Sequence, residues 1–399
     1  MLNIEEASCS KPCALFNLGF RPFFLLAGVS SAILMLAWMW MHSTGTSFLP
    51  ADFSPMLWHG HEMVFGYSIA VISGFLLAAI KNWTNRQTLH GNALFALALL
   101  WLSARILPFT DLDSALFFMA VTDLLFMLGL LAAIASPVIQ SRQWKQFPII
   151  LKVGLIAASN LLFYLGFFNI TPPETIQWGL YSGLYLIVSL IMLMGRRVIP
   201  FFIEKGVDET TNIRNYKWLD ISSTILFIAF WIVEVFIANF FWAGLLAAIL
   251  FLLHGIRLVG WYTPGIWKKP LLWVLYIGYG FIVSGFGLKA VTTTLDISPW
   301  LSVHAFAAGG IGLITLGMMS RVALGHTGRN VFELPALVKL AFGFVIVAAC
   351  VRVILPLLLP QFYAELITVS QGLWIIGFGL FVFVYAPMLI RPRVDGRYG

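Results

Sequence analysis

His61 and His304 are imidazole donors carried in two separate apolar segments, and the residues downstream of each fall at matching offsets. Gly66, Gly74, Thr84 and Arg86 follow His61, and Gly309, Gly317, Thr327 and Arg329 follow His304 at the same spacings. Five of 29 aligned positions agree between 58–86 and 301–329, a pattern read here as a duplicated unit with no third copy, since span six carries no histidine. Histidine is costly in hydrocarbon and is rare there without a role. Two such rings at matching depth, on helices running the same way, could ligate a flat metal cofactor from both faces. Neutral imidazole is a common donor to haem iron, and a helical bundle supplies the apolar surroundings. The pairing predicts ring nitrogens about 4 Å apart, set by two metal–nitrogen bonds of about 2 Å.

A haem also needs small residues against the macrocycle and cations for its propionates. Gly66, Ala70 and Gly74 near His61, and Gly309, Gly310, Gly312 and Gly317 near His304, supply small surface, although the same residues permit close helix contact without a cofactor. Arg105, Lys289 and Arg352 close apolar segments on the same side as the two histidines and could meet propionates, Arg105 and Arg352 foremost. Pairing of Arg105 with Asp111 or Asp113, and of Lys289 with Asp296, is the competing expectation. His59 lies two residues before His61, a separation that turns it about 200° away on a helix, so one metal cannot easily take both. It could bind a second metal such as copper, bond the preceding loop, or sit at the interface. Glu62 could fix a ligand imidazole, and Asp123 and Glu234 are further buried acids. A second group, His254 with Arg257, and His326 within Leu324–Arg329, lies toward the opposite side, where His254 and His326 form a lesser candidate metal pair.

Composition fixes the solvent in which these residues sit. The 399-residue chain is 60% hydrophobic and 10% charged, with a mean hydropathy of +0.92. That much apolar surface calls for a bilayer. Windows of about 20 apolar residues predict an all-α protein of twelve membrane spans, near 17–41, 61–80, 91–108, 115–137, 147–168, 175–195, 218–238, 241–260, 271–291, 300–320, 334–356 and 366–389. They form one domain over 1–399, with short tails at 1–16 and 390–399 and a tight Ala238–Phe241 turn between spans seven and eight. Alternate loops are basic, while 43–56, 110–114, 169–174, 292–298 and 357–361 contain no Lys or Arg. The positive-inside rule then places both termini in the cytoplasm. No removable signal peptide is read before the first span. Cys9 and Cys13 form a C-x₃-C in the tail, read as reduced thiols, and the net charge of +7 sits in short loops, which points to lipid headgroups rather than nucleic acid.

Several stretches resemble the NnrS family. They are Trp58–His59–Gly60–His61–Glu62–Met63 with Phe65–Gly66, the Asn82–Trp83 pair, Gly195–Phe202, Gly317–Arg321 and Gly325–Arg329. The resemblance covers essentially the whole chain. It implies a twelve-span protein of the bacterial inner membrane carrying haem and copper, linked to nitric oxide and denitrification and to relief of nitrosative stress. The haem implied is b-type, because no C-x-x-C-H attachment site is present. The architecture is also similar to the catalytic subunit of haem–copper oxidases, which holds a low-spin haem between histidines of its second and tenth spans. The copper-site histidines of that family have no counterpart, as spans six and seven lack His.

The expected function is thus a membrane haem protein that handles nitric oxide, iron-nitrosyl species or electrons, with a respiratory electron donor as partner. Two other readings compete. Twelve spans with buried acids also fit a secondary transporter, and a haem- or metal-delivery factor for a reductase would carry similar residues.

Overall fold

The computed structural model describes residues 13–207, 213–292, 294–295 and 297–399. Among these residues all regular structure is helical, and twelve helices are long and apolar enough to cross a membrane. They are Phe20–Thr44, Pro55–Thr84, Gly91–Phe109, Ala115–Gln140, Trp144–Phe167, Glu174–Val207, Lys217–Ile237, Phe240–Gly260, Pro270–Val291, Pro299–His326, Ala336–Leu358 and Pro360–Ile390, numbered spans one to twelve. Helices satisfy every backbone donor and acceptor internally, which hydrocarbon requires. The expected spans are all present, and the chain is a multi-pass membrane protein. The turn between spans seven and eight is tight, with Ala238 in the left-handed region at φ +52° and the Asn239 side chain accepting from Trp242 N–H.

Spans two, six and ten are the longest but for span twelve, and they occupy the centre of the bundle, with 83%, 61% and 72% of their most apolar windows buried. They touch one another. Tyr67 and Thr315 share a 2.6 Å hydrogen bond between spans two and ten, and the Tyr185 and Phe306 rings meet at 5.9 Å between spans six and ten. Phe65 of span two fills the space over Gly183 of span six.

Spans two and ten share a second likeness beyond their matched residues. Span two runs as α-helix over Pro55–His61, π-helix over Glu62–Ser68 and α-helix again over Ile69–Thr84. Span ten does the same over Pro299–His304, Ala305–Ile311 and Gly312–His326. In each, the histidine is the last residue before a seven-residue π segment. The register of the sequence repeat is therefore also the register of the backbone. Such widened turns are rare and frequently sit at functional sites. Span six is α-helical throughout and takes no part in the repeat. A third π segment, Val233–Ile237, ends span seven and carries Glu234.

The chain enters span one and leaves span twelve at the same end of the bundle, as an even number of spans requires. Ala14 N–H donates to the Ile390 carbonyl at 2.8 Å, and Arg21 donates to the carbonyls of Leu389 and Arg391 at 2.8 Å and to the Gly399 oxygen at 2.5 Å. Lys81 lies over the Tyr398 ring, so the basic loops share this end. In the tail the Arg393 guanidinium hydrogen-bonds Asp395 and holds its carboxyl well below the usual carboxylate range. Cys13 is exposed here, and its C-x₃-C partner Cys9 lies outside the described residues.

Spans five and six are in backbone contact at Gly179, where any Cβ would stand 2.6 Å from Phe163 N and from Ser159 O. Gly179→Val is therefore expected to force the two helices apart and lower stability by about 1–3 kcal/mol. Heat-induced unfolding in detergent would register this, and an unshifted transition would show that the contact is not tight.

Candidate functional site

The Ser54–Pro55 pair starts span two six residues before His61: Ser54 Oγ accepts from Leu57 N–H at 3.3 Å, and Pro55 occupies the first helical position, where its missing donor is not needed. His61 is thereby carried well inside the helix and is fully buried. Its Nδ1 is 3.1 Å from Glu62 Oε1, and its Nε2 is 3.1 Å from Asn160 Oδ1 and 3.6 Å from Asp123 Oδ2. Arg105 forks between both acids, with Nε 2.8 Å from Glu62 Oε2 and Nη2 2.8 Å from Asp123 Oδ1. Asn160 Nδ2 and Tyr164 Oη donate to Asp123 Oδ2 at 2.7 and 3.3 Å. Phe53, Phe65 and Phe163 surround the His61 ring.

Spans two to five thus close a polar cluster inside an apolar bundle. Its chemistry follows from the bonding. Both nitrogens of His61 face oxygen atoms, Glu62 Oε1 and Asn160 Oδ1, and Arg105 stands between Glu62 and Asp123, so both edges of the ring are occupied by this network.

His304 is differently placed. Its Nδ1–H donates to the Trp300 carbonyl at 2.8 Å, one turn back on the same helix. That bond fixes the tautomer and leaves the lone pair on Nε2, the arrangement that metal-bound histidines use. The residues near enough to act on His304 by charge are Arg352 of span eleven and His59 of span two. His59 in turn is within electrostatic range of Arg352 and His42. It stacks on Trp38 at 4.8 Å and 8°, and its Nδ1 is buried with no hydrogen-bond partner. Arg352 is 8% exposed. Tyr363 supplies its hydroxyl at 3.4 Å and its ring face, and among the described residues no carboxylate pairs with this guanidinium.

Arg352 and His59 lie within electrostatic range of His304, while both nitrogens of His61 are engaged by Glu62 and Asn160. The two histidines of span two point apart, as their spacing requires: His59 stacks on Trp38 of span one, while His61 faces Asp123 and Asn160 of spans four and five. Arg105 is likewise committed to Glu62 and Asp123 rather than open to a propionate, and it pairs with neither Asp111 nor Asp113. Lys289 is held by Glu234 at 2.5 Å, with Tyr185 Oη donating to the same oxygen at 3.4 Å. The glycines are contact points between helices: a Cβ would stand 2.7 Å from Phe24 at Gly74, 2.3 Å from Phe281 at Gly309 and 2.6 Å from Trp374 at Gly312.

The histidines toward the basic end are also apart. His254 Nδ1 is 2.7 Å from Tyr279 Oη and 3.3 Å from Arg257 Nη1, and Arg257 continues to Asp220 at 2.8 Å. Its ring lies flat against Phe286, with Nε2 buried and unpartnered. His326 instead meets Phe20 and the charges of Arg393, Lys81 and Arg21. They do not form one metal site. Among the described residues no three His, Cys, Asp or Glu side chains converge as a metal cage.

A family model described as NnrS protein matches residues 14–393, nearly the whole chain. The chain belongs to the NnrS family. No curated protein matches the sequence. In this NnrS chain the matched span includes every residue of the two clusters above. The donor set bears on which metal group they fit. A bare copper ion would ask the protein for three or more ligands, which no such group provides. Haem brings four ring nitrogens of its own and asks for only one or two. His304, with its Nδ1–H held by Trp300, could supply one such ligand, and Arg352, which has no carboxylate partner among the described residues, would suit an acidic substituent. Asn160, Tyr164, Trp38 and His42 had not been singled out from the sequence. Asn160 carried a signal, being an amide inside an apolar span, where polar groups are rarely idle.

Proposed function

We propose that this NnrS-family protein is a membrane haem protein acting in nitric oxide and nitrosative-stress tolerance, in the cytoplasmic membrane of a bacterium with both termini inside. In this reading His304 and His59 hold a b-type haem and Arg352 takes a propionate. The observation that carries it is His304: its Nδ1–H is fixed by the Trp300 carbonyl, its Nε2 is left to ligate, and His59 and a buried arginine without a carboxylate partner lie within electrostatic range of it. Bound haem would supply an iron centre for nitric oxide or for electron transfer. The chain's own residues orient the donor ring, neutralise the acidic edge and keep water out.

Optical and metal analysis of protein purified from haem-replete cells tests this. The expected result is a Soret band with stoichiometric iron, shifted when nitric oxide is added. A colourless, iron-free protein would sink the proposal. Secondary transport is the second reading, favoured by the paired π segments and by the buried His61–Glu62–Asp123–Arg105 cluster, which resembles the proton-holding sites of transporters. Solute uptake into proteoliposomes by colourless protein would select it.

A further inference from the structure

The carboxamide of Gln371 lies inside span twelve, 5% exposed, and neither its oxygen nor its nitrogen has a hydrogen-bond partner. A buried amide without a bond carries the full cost of its lost hydration, and polar side chains inside a membrane rarely stand idle. The packing of spans one and twelve, which run antiparallel, gives its level in the bundle. A Cβ at Gly28 would stand 2.9 Å from Phe381 and 3.0 Å from Val382, and Trp374 Nε1 donates to Ser31 Oγ at 2.9 Å. Each step outward along span one is a step back along span twelve, so this register sets Gln371 opposite residues 34–38. Trp38 closes that stretch and lies on the Ser31 face of span one, about two turns farther out. The His59 ring stacks on Trp38 at 4.8 Å, and His59 Nδ1 is also buried without a partner. An idle imidazole nitrogen and an idle amide thus lie at levels within about one helical turn of each other.

We infer that Gln371 is the positioning residue of His59: its Oε1 accepts from His59 Nδ1–H when the opposite nitrogen of that ring binds iron. The inference rests on the haem reading above. A ligand imidazole nearly always donates its second N–H to an acceptor, which fixes the tautomer and makes the ring a stronger donor. His304 has that acceptor in the Trp300 carbonyl. His59 Nδ1 has none, and Arg352, which acts on this ring by charge, can only donate. The carboxamide supplies what is missing. Its neutrality matters as well. A carboxylate at this level would draw the Arg352 guanidinium to itself, whereas an amide accepts the imidazole proton and leaves Arg352 open to an acidic substituent.

Gln371→Met tests this in the full chain, because it keeps the volume and removes the amide. In haem-free protein no hydrogen bond is lost, so heat stability should be unchanged or higher. With haem, affinity should fall on the order of ten- to a hundredfold, and the midpoint potential should rise as the ligand ring loses electron density. Gln371→Leu serves in its place should the first variant fail to fold. Where His59→Ala still holds haem through His304, adding Gln371→Met should change neither affinity nor potential further, since the two residues act through one bond. An unchanged potential and affinity in Gln371→Met overturns this inference and leaves the haem reading standing, as does a further loss in the His59→Ala background. Protein with no Soret band overturns the haem reading and this one with it.

Discussion

Arg105→Met is expected to cost about 3–5 kcal/mol of stability, the usual penalty for removing one partner from a buried charge network. The reason lies in the count of charges. Arg105 forks between Glu62 and Asp123, both within 2.8 Å, and all three side chains are at most 4% exposed. Without the guanidinium, two carboxylates share one imidazole inside an apolar bundle. Lysine should rescue poorly, because a single ammonium cannot present one donor to each acid in the geometry of the planar fork. A second replacement should rescue well. Arg105→Met combined with Asp123→Asn removes one buried carboxylate together with the cation that met it, so it should recover much of the loss. The measurement is the fraction of folded protein surviving a heating series in detergent. If Arg105→Met and the double variant melt alike, the charges are not coupled and the cluster is not the unit described here.

This cluster also shows what the sequence could and could not disclose. The twelve spans were legible because hydropathy over about 20 residues is a strong signal in hydrocarbon. The start of span two was set too late, at 61, because the polar run Trp58–Glu62 lowers hydropathy although it is helical from Pro55 onward. The Ser54–Pro55 pair was the available sign of the true start. Which neighbours His59 and His61 each meet was not legible. A spacing of two residues says that they diverge, yet nothing in the local sequence states the rotation of span two about its own axis. That rotation follows from packing: Glu62 and His61 are drawn toward Arg105, Asp123 and Asn160 on spans three, four and five, which turns His59 the other way. Asp123 was recognised as a buried acid, but its partners lie 18 and 37 residues away in sequence, and no periodic pattern links them.

The repeat has a physical meaning that links the two halves of the site. In both spans the helix changes from α to π immediately after the histidine. A widened turn alters the angular step between neighbouring residues, so side chains before and after it need not follow the 100° rule of an α-helix. In span two this lets the adjacent His61 and Glu62 bond to each other at 3.1 Å. In span ten the equivalent position of Glu62 is Ala305, and no acid competes for the ring of His304. The same backbone device thus yields a histidine with both nitrogens engaged in one copy and a ring with an available nitrogen in the other.

That difference gives the second large effect, on cofactor binding. With His59 and His304 as ligands, His304→Ala and His59→Ala should each convert a six-coordinate low-spin haem spectrum to a high-spin or haem-free one. His61→Gln should leave the low-spin spectrum in place while weakening the fold, since glutamine replaces only part of the bonding to Glu62 and Asn160. Arg352→Met removes a charge-assisted contact but no ligand. It should keep the spectrum and lower haem affinity on the order of ten- to a hundredfold, the range seen when the surroundings of a metal ligand are altered. Haem titration of the stripped variants, followed at the Soret band, separates these outcomes. Loss of the low-spin spectrum in His61→Gln with retention in His59→Ala would reverse the assignment on span two. It would also require the His61 ring to leave Asn160 and Asp123 when haem binds, at the expense of the charge balance around Arg105.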